Sequence, residues 1–498
     1  MMRLLLVLLL VLSLPTQAGL LAGGTSHALA VYAGNGGKVL AWGDNSSGQL
    51  GNGTTDNAVY AVEVFGLTNV ISVAAGDGFS LALDSNGYVW AWGRNDLGQL
   101  GDTTTATRDT PVRVALLKGV VDIAAGRDFC LAAKSDGSVW GWGSNASGQL
   151  GQAAGSGSQY FTTLTQVSSL DNVQKVATGT NFSLALKKDG SVWAWGANAS
   201  GQLGVGNTTD SVVPQRVSLP TDVVITELAA RDHVLALQND GKVWAWGGND
   251  MGQLGDDTTT ARQVPAQVVD IANVRSIAVA STWSMARRSD LSVWAWGDNS
   301  SGQLLDKTKT QRHYPVQAQG LADIESLASG PMFAVLGKYA GDILAWGANG
   351  GGQLGSGDTT DKYAEVAPVK KDADNPLVLT AVSTANPIAT ARTSGTAQNL
   401  TLTAVINPAA IDLGRSGFPL VWASVPGFGD IYLTVFGWFV SSVPMPYSGQ
   451  GPLTKIEIPT LQNLDVSAFV GAKVYAGYGF APSESASAAR TLEIYAVP

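Results

Sequence analysis

Trp92-Gly93-Arg94-Asn95-Asp96-Leu97-Gly98-Gln99-Leu100-Gly101 is one copy of a phrase that recurs along the chain. Trp-Gly-x-Asn opens it at Trp42, Trp92, Trp142, Trp195, Trp246, Trp296 and Trp346, with gaps of 50, 50, 53, 51, 50 and 50 residues. Gly-Gln-Leu follows each Asn, as in Gly48-Gln49-Leu50 and Gly352-Gln353-Leu354. A fixed period of this length marks a repeat architecture and settles the fold before any local reading does.

The second unit shows what one repeat contains. Ile71-Ser72-Val73-Ala74-Ala75 alternates like a strand, Gly76-Asp77-Gly78 turns, and Phe79-Ser80-Leu81-Ala82-Leu83 returns with Phe79, Leu81 and Leu83 on one face. Asn86-Gly87 supplies a tight hairpin, because both central residues of such a turn need positive φ. Tyr88 to Trp92 is a third strand, and Pro111 to Val114 a short fourth. The hairpin dipeptide recurs as Asp136-Gly137, Asp189-Gly190 and Asp240-Gly241. The sixth unit has Asp290-Leu291 instead, which predicts a longer or distorted turn. The first residue of each second strand is His27, Phe79, Phe129, Phe182, His233, Trp283 or Phe333. Seven units of four short strands, without helical period, predict a seven-bladed β-propeller. A kelch-type propeller shares the period but not the phrase.

The ends bound the propeller. Residues 1–18 read as a secretory signal: Arg3, an apolar run from Leu4 to Leu14, then Pro15-Thr16-Gln17-Ala18. An uncleaved anchor helix is the alternative. The propeller is expected over 19–369. Leu21-Ala22-Gly23-Gly24 aligns with Val73-Ala74-Ala75-Gly76, so the segment from Tyr363 to Val369 is expected to pair near the N-terminal strand and close the ring. Residues 370–376 form a polar linker. Residues 377–498 lack the repeat but alternate at 400–405, 431–436, 455–458, 474–478 and 492–495, which predicts a small antiparallel β-sandwich. The fold class is therefore all-β.

Only 14% of the residues are charged and the net charge is −9, which disfavours phosphate and so nucleic acid. Beyond the signal, no run is long enough to insert in a membrane as a helix. The single cysteine, Cys130, cannot form an internal disulfide and sits in a strand pattern as a small hydrophobe.

The phrase Val-Trp-Ala-Trp-Gly-x-Asn-x-x-Gly-Gln-Leu-Gly, preceded by Ala-Ala-Gly, an aromatic-Ser-Leu-Ala-Leu strand and an Asp-Gly hairpin, resembles the regulator-of-chromosome-condensation repeat over residues 20 to about 369. The resemblance implies a seven-bladed propeller. That family includes the nuclear exchange factor for the Ran GTPase, the plant ultraviolet-B photoreceptor and a secreted bacterial inhibitor of β-lactamase, so it implies fold rather than one function. The family usually has His in the aromatic slot; here only His27 and His233 do, which weakens a carry-over of exchange chemistry. The photoreceptor's Gly-Trp-Arg-His-Thr has no counterpart either. The positions matching its Trp are Thr25, Asp77, Arg127, Thr180, Arg231, Ser281 and Pro331.

Motifs for chemistry are weak. Gly350 to Gly355 fits a dinucleotide pattern, but it is a copy of the repeat phrase rather than a loop opening a helix. His27, His233 and His313 fall in different units without ligand spacing, so neither a metal nor a cofactor is expected. The short turns after Ala-Ala-Gly are the stronger candidates, because seven of them gather on one face and loops on a rigid scaffold carry function. That face would present Asp77, Arg127, Asp128, Asn181, Arg231, Asp232, Trp283 and Met332, an aromatic and a methionine among Arg-Asp pairs, as suits a protein interface. The expected function is an exported, non-enzymatic binding protein of the periplasm, cell surface or exterior whose partner is another protein. The alternative is an enzyme on glycan or cell wall, needing paired acids about 5 to 10 Å apart at a pocket mouth, with Gly155 to Thr163 as the irregular loop that could supply them. A guanine-nucleotide exchange factor fits least.

Overall fold

A computed structural model describes residues 20–32, 36–152, 159–338, 342–363 and 369 in full, with the backbone of 364–368 and of strands between 388 and 496. The chain divides into two compact units, of which Ala18–Leu379 is one. Within that unit the strands form seven four-stranded antiparallel sheets, each from four consecutive strands. The first comprises Leu21–Gly23, His27–Tyr32, Lys38–Gly43 and Ala58–Glu63; the second Val70–Ala75, Phe79–Asp84, Val89–Gly93 and Arg108–Arg113. The seventh comprises Ile324–Ser329, Phe333–Lys338, Ile343–Gly347 and Lys362–Pro368. First strands of neighbouring sheets pack against one another, including the first against the seventh, so they surround an axis.

The core lies between the blades. Seven apolar clusters fill the seven gaps: Phe79, Leu81 and Leu83 of the second blade, for instance, meet Ile123, Cys130 and Trp142 of the third. Alternation along each strand puts apolar side chains on both sheet faces, which one blade alone could not bury.

The repeated phrase is the joint between blades. Each indole donates to the main-chain oxygen of the Gln in the preceding blade's loop. Trp92 reaches Gln49 O at 2.8 Å, Trp142 reaches Gln99 O at 2.9 Å, and Trp42 closes the ring on Gln353 O at 2.9 Å. The Asn holds that loop in shape: Asn95 Oδ1 accepts from Leu100 N at 3.0 Å, while its Nδ2 donates to Thr104 O and Ala106 O at 3.1 and 3.0 Å. The Gln Oε1 takes a loop amide, Leu97 N to Gln99 at 2.8 Å. Gly93, after the Trp, has φ of 102°, and a Cβ there would lie 2.5 Å from Gly78 O. Only glycine fits that bulge.

The aromatic slot is buried throughout. Where it holds His, the ring bonds to the next blade's serine: His27 Nε2 lies 2.9 Å from Ser80 Oγ, and His233 Nε2 lies 2.6 Å from Ser284 Oγ. Ser80 donates its own proton to Gln49 O at 2.8 Å. His27 must therefore be the donor, with Nδ1 bare. Burial pushes His27 down to about 4 and His233 to about 3, so both are neutral.

Two expectations are corrected. Lys362–Pro368 does not pair with the N-terminal strand. It is the outer strand of the seventh blade, antiparallel to Ile343–Gly347, and the ring closes without a shared strand, through the cluster holding Val369 and Leu21, the Trp42 bond to Gln353 O and a main-chain bond from Gly357 N to Val59 O at 3.0 Å. Each blade is complete in sequence, so no strand needs lending. The sixth hairpin is not lengthened either. Leu291 adopts φ of 66° and makes the same bond to Arg288 O, at 3.0 Å, that Gly87 makes to Asp84 O. The framework imposes the turn, and the leucine carries the strain.

The expected signal, 1–18, and the linker, 370–376, lie outside the described residues, as do the connections of the region from 377 to 498. Of that region, Ile388–Ser394, Leu400–Asn407 and Ile456–Leu464 pair antiparallel in one sheet. Ser416–Val425 lies between Gly429–Thr434 and Lys473–Gly479 in another. Arg490–Ala496 pairs with Lys473–Gly479, and the five alternating stretches overlap strands of these two sheets.

Leu291→Gly should raise stability by about 1 kcal/mol, the left-handed cost for leucine less the extra entropy glycine brings to the unfolded chain. Thermal unfolding of the two proteins checks this; an unchanged or lower melting temperature contradicts the assignment of strain.

Candidate binding face and the axial channel

The turns after the first strands converge at one end of the axis. They enclose a cavity of about 300 Å³, lined by residues of all seven turns. Backbone bonds tie neighbouring turns: Thr25 N to Gly76 O at 3.3 Å, Asp77 N to Arg127 O at 3.0 Å, Thr180 N to Arg231 O at 2.9 Å and Ser281 N to Pro331 O at 3.3 Å.

The structure brings most of the eight sequence candidates together. Asp77, Arg127, Arg231 and Asp232 line the cavity. Asp77, Arg127 and Asp128 form an ion cluster in which Arg127 Nε lies 3.8 Å from Asp77 and 3.6 Å from Asp128. Asp232 is exposed and accepts from Thr180 Oγ1 at 2.6 Å. Asn181 and Met332 follow the lining residues Thr180 and Pro331 in their turns without lining the cavity themselves; Asn181 is half-buried, and Met332 is 46% exposed.

Trp283 is a correction: it is 1% exposed and not part of the surface. It occupies the slot that phenylalanine fills in sister blades, paired in register with Gly297, and packs on Trp346 at 6.1 Å between centroids. The slot points into the gap between blades, so a larger ring deepens the core and leaves the face unchanged.

Arg231 also departs from its alignment. The other turns have three residues between Ala75-type and Phe79-type positions; here only Arg231 and Asp232 intervene. Arg231 N bonds to His233 O at 3.0 Å, as Gly76 N bonds to Phe79 O at 2.9 Å. Arg231 therefore takes the glycine's place in the turn.

Sequence reading missed Arg94. It occupies the variable slot of Trp-Gly-x-Asn, yet it reaches under the turns to pair with Asp77 at 3.2 Å, Asp96 at 2.8 Å and Asp128. The signal was present: the slot is otherwise Asp44, Ser144, Ala197, Gly248, Asp298 or Ala348, so the one long cation stands out.

Also missed was a charged ladder on the inner strands. The third residues of consecutive first strands are Asp122, Lys175, Glu227 and Ser276. Asp122 accepts from Val176 N of the next blade at 2.8 Å, Lys175 donates to Thr226 O at 3.1 Å, and Glu227 accepts from Ile277 N at 3.3 Å. Each charge thus reaches one blade forward. Glu227 Oε2 and Arg287 Nε are buried without a hydrogen-bond partner among the described residues. Burial pushes Asp122 up to about 6, against the pull of the Val176 amide and Lys175. Burial raises Glu227 as well.

The RCC1-like domain family matches residues 10–321 and 166–403. The chain belongs to that family. Among curated proteins it is similar to the ultraviolet-B receptor UVR8 of Arabidopsis thaliana, 35% identical over 132 residues, 26% of this chain and 30% of the receptor. It is 40% identical to human protein RCC2 over 89 residues, 18% of this chain and 17% of that protein. The matched stretch thus spans under a third of either relative. Among solved structures, this RCC1-like chain resembles yeast RCC1 (Prp20) bound to Kap60, with TM-score 0.58 and 26% identity over 64% of this chain and 79% of that one. Human WBSCR16, at TM-score 0.59 and 24% identity over 66% of this chain and 93% of that one, shares the fold.

The expected enzyme loop, Gly155 to Thr163, lies partly outside the described residues. Gly350 to Gly355 forms the same loop as its sister copies, with Asn349 Oδ1 accepting from Leu354 N at 2.9 Å, and opens no helix.

The raised Asp122 gives a pH prediction. Its ordinary value is 3.8 and its folded value about 6, so the folded chain holds this proton more tightly than the unfolded one. Stability attached to Asp122 is therefore lost as pH rises between those values. Asp122→Asn keeps an acceptor for Val176 and should melt higher than wild type at pH 7, with the gap closing near pH 4. A gap equal at both pH values contradicts the desolvated carboxylate.

Proposed function

We propose that this chain is an exported, non-enzymatic binding protein that captures another protein on the face formed by the seven turns. The observation that carries this reading is the axial cavity itself. Turns from all seven blades converge there, with arginines and aspartates around the opening and an exposed Met332 beside it. Such a mix of anchors and pairable charge suits a protein interface. Similar solved structures support it in kind: yeast RCC1 is bound to Kap60 in one, and another concerns Prp20p and its binding to Gsp1p and histones. Export rests on residues 1–18 of the sequence, and the paired strands beyond 380 are read as an appended β-sandwich. Glycan hydrolysis is less favoured, because Asp77 and Asp128 are both engaged by arginines rather than free for acid-base work.

The test is partner capture by the full chain, followed by matched measurements on two variants. Met332→Asp should weaken capture by about 2 kcal/mol while leaving the melting temperature within a degree or so. Trp283→Ala should do the opposite, losing about 3 to 5 kcal/mol of stability with affinity per folded molecule intact. Capture unaffected by Met332→Asp moves the interface off this face. Full-length protein recovered from the cytoplasm with residues 1–18 attached overturns export.

A further inference from the structure

The cavity at the axis is lined by an arginine, Arg231, whose charge is met by no ion pair among the described residues. Arg231 takes the position held by glycine in five sister turns and by Ala280 in the sixth, and it lines the space. Two carboxylates lie near enough to act on it, those of Asp232 and Asp77. Each already has another hydrogen-bond or ion-pair partner. Asp232 accepts from Thr180 Oγ1 at 2.6 Å, and Asp77 pairs with Arg94 at 3.2 Å and Arg127 at 3.8 Å. No carboxylate of the described residues comes within ion-pair distance of Arg231. Burial pulls its pKa below the ordinary arginine value even with Asp232 and Asp77 opposing.

We infer that the axial cavity is a carboxylate subsite, in which Arg231 receives the carboxylate of an acidic side chain presented by the partner. The partner as source rests on the turn-face reading; the carboxylate chemistry does not. A volume of about 300 Å³ is at the small end of ligand cavities and holds one side chain rather than a nucleotide. The planar guanidinium fork fits a carboxylate with two parallel hydrogen bonds. The hydroxyl-bearing Thr25 and Ser281 line the same space. A phosphate fits less well, because its second charge would face Asp77 and Asp232 across the opening. Withdrawn from bulk water, such a pair counts for more than one on the rim.

Saturation-transfer NMR on the full chain tests this with acetyl-glutamate amide, succinate, acetyl-glutamine amide and inorganic phosphate as probes. The two carboxylates should bind with Kd of about millimolar. The glutamine probe should not bind, and phosphate should bind more weakly than either carboxylate. Arg231→Gln should weaken the carboxylates at least about ten-fold, while Lys242→Gln on an outer hairpin leaves them unchanged. If Arg231→Gln does not fold by near-ultraviolet circular dichroism, Arg231→Lys replaces it, with a loss of about three-fold or more expected from the missing fork. Carboxylates that do not bind up to about 50 mM, bind equally well to the Arg231 variant, or bind more weakly than phosphate overturn the assignment. Partner capture then separates the sources. Capture lost with Arg231→Gln makes the partner's side chain the occupant; capture retained while the probes are lost makes it a free small carboxylate. Capture indifferent to Met332→Asp removes the turn-face reading and leaves the probe result standing.

Discussion

The fold depends on a hydrogen bond from a buried indole to a loop carbonyl of the preceding blade. It occurs seven times, and Trp42 to Gln353 makes the seventh. The carbonyl lies in an irregular loop and has no strand partner, so the indole is the donor common to all seven of these buried acceptors. Several of these oxygens take a second donor from the next blade: Ser80 on Gln49, Ser284 on Gln253, and the Cys130 thiol on Gln99. The tryptophan thus seals the gap with its ring and holds the neighbouring loop with its nitrogen. The Asn and the glycines of the phrase keep that loop in the one conformation that presents the carbonyl.

This explains how much the sequence disclosed. The period, the strand order within a unit and the turn positions were all legible, because each rests on local chemistry repeated in register. What could not be read was what register alone does not encode. Trp283 looked like a surface anchor because of its residue type, yet its slot is defined by facing the next blade. Leu291 looked like a broken turn, yet the sheet on either side fixes its geometry and outweighs the local preference. Closure was expected from a shared strand, whereas the first and seventh blades close through packed side chains and loop hydrogen bonds and need none.

The candidate site was legible in position and only partly in detail. Convergence of the turns follows from the architecture, and four of the eight named residues line the cavity. The pairing of those residues depends on Arg94, which arrives from a loop of the repeat phrase and was invisible as part of the face. The ladder of Asp122, Lys175 and Glu227 left a trace in the sequence, three charged residues at one strand position in successive units. Its meaning appears only when consecutive blades are laid side by side, since each side chain bonds to the backbone of the next.

The joint that closes the ring is chemically the same as the other six. The propeller therefore has a seam in its covalent chain and none in its interactions. Where the polypeptide is interrupted is a property of the gene order of the blades, and any connector between an outer strand and the next inner strand is topologically equivalent to the present break. Circularly permuted arrangements of the seven units would contain the same seven indole bonds, the same seven interblade cores and the same axial opening.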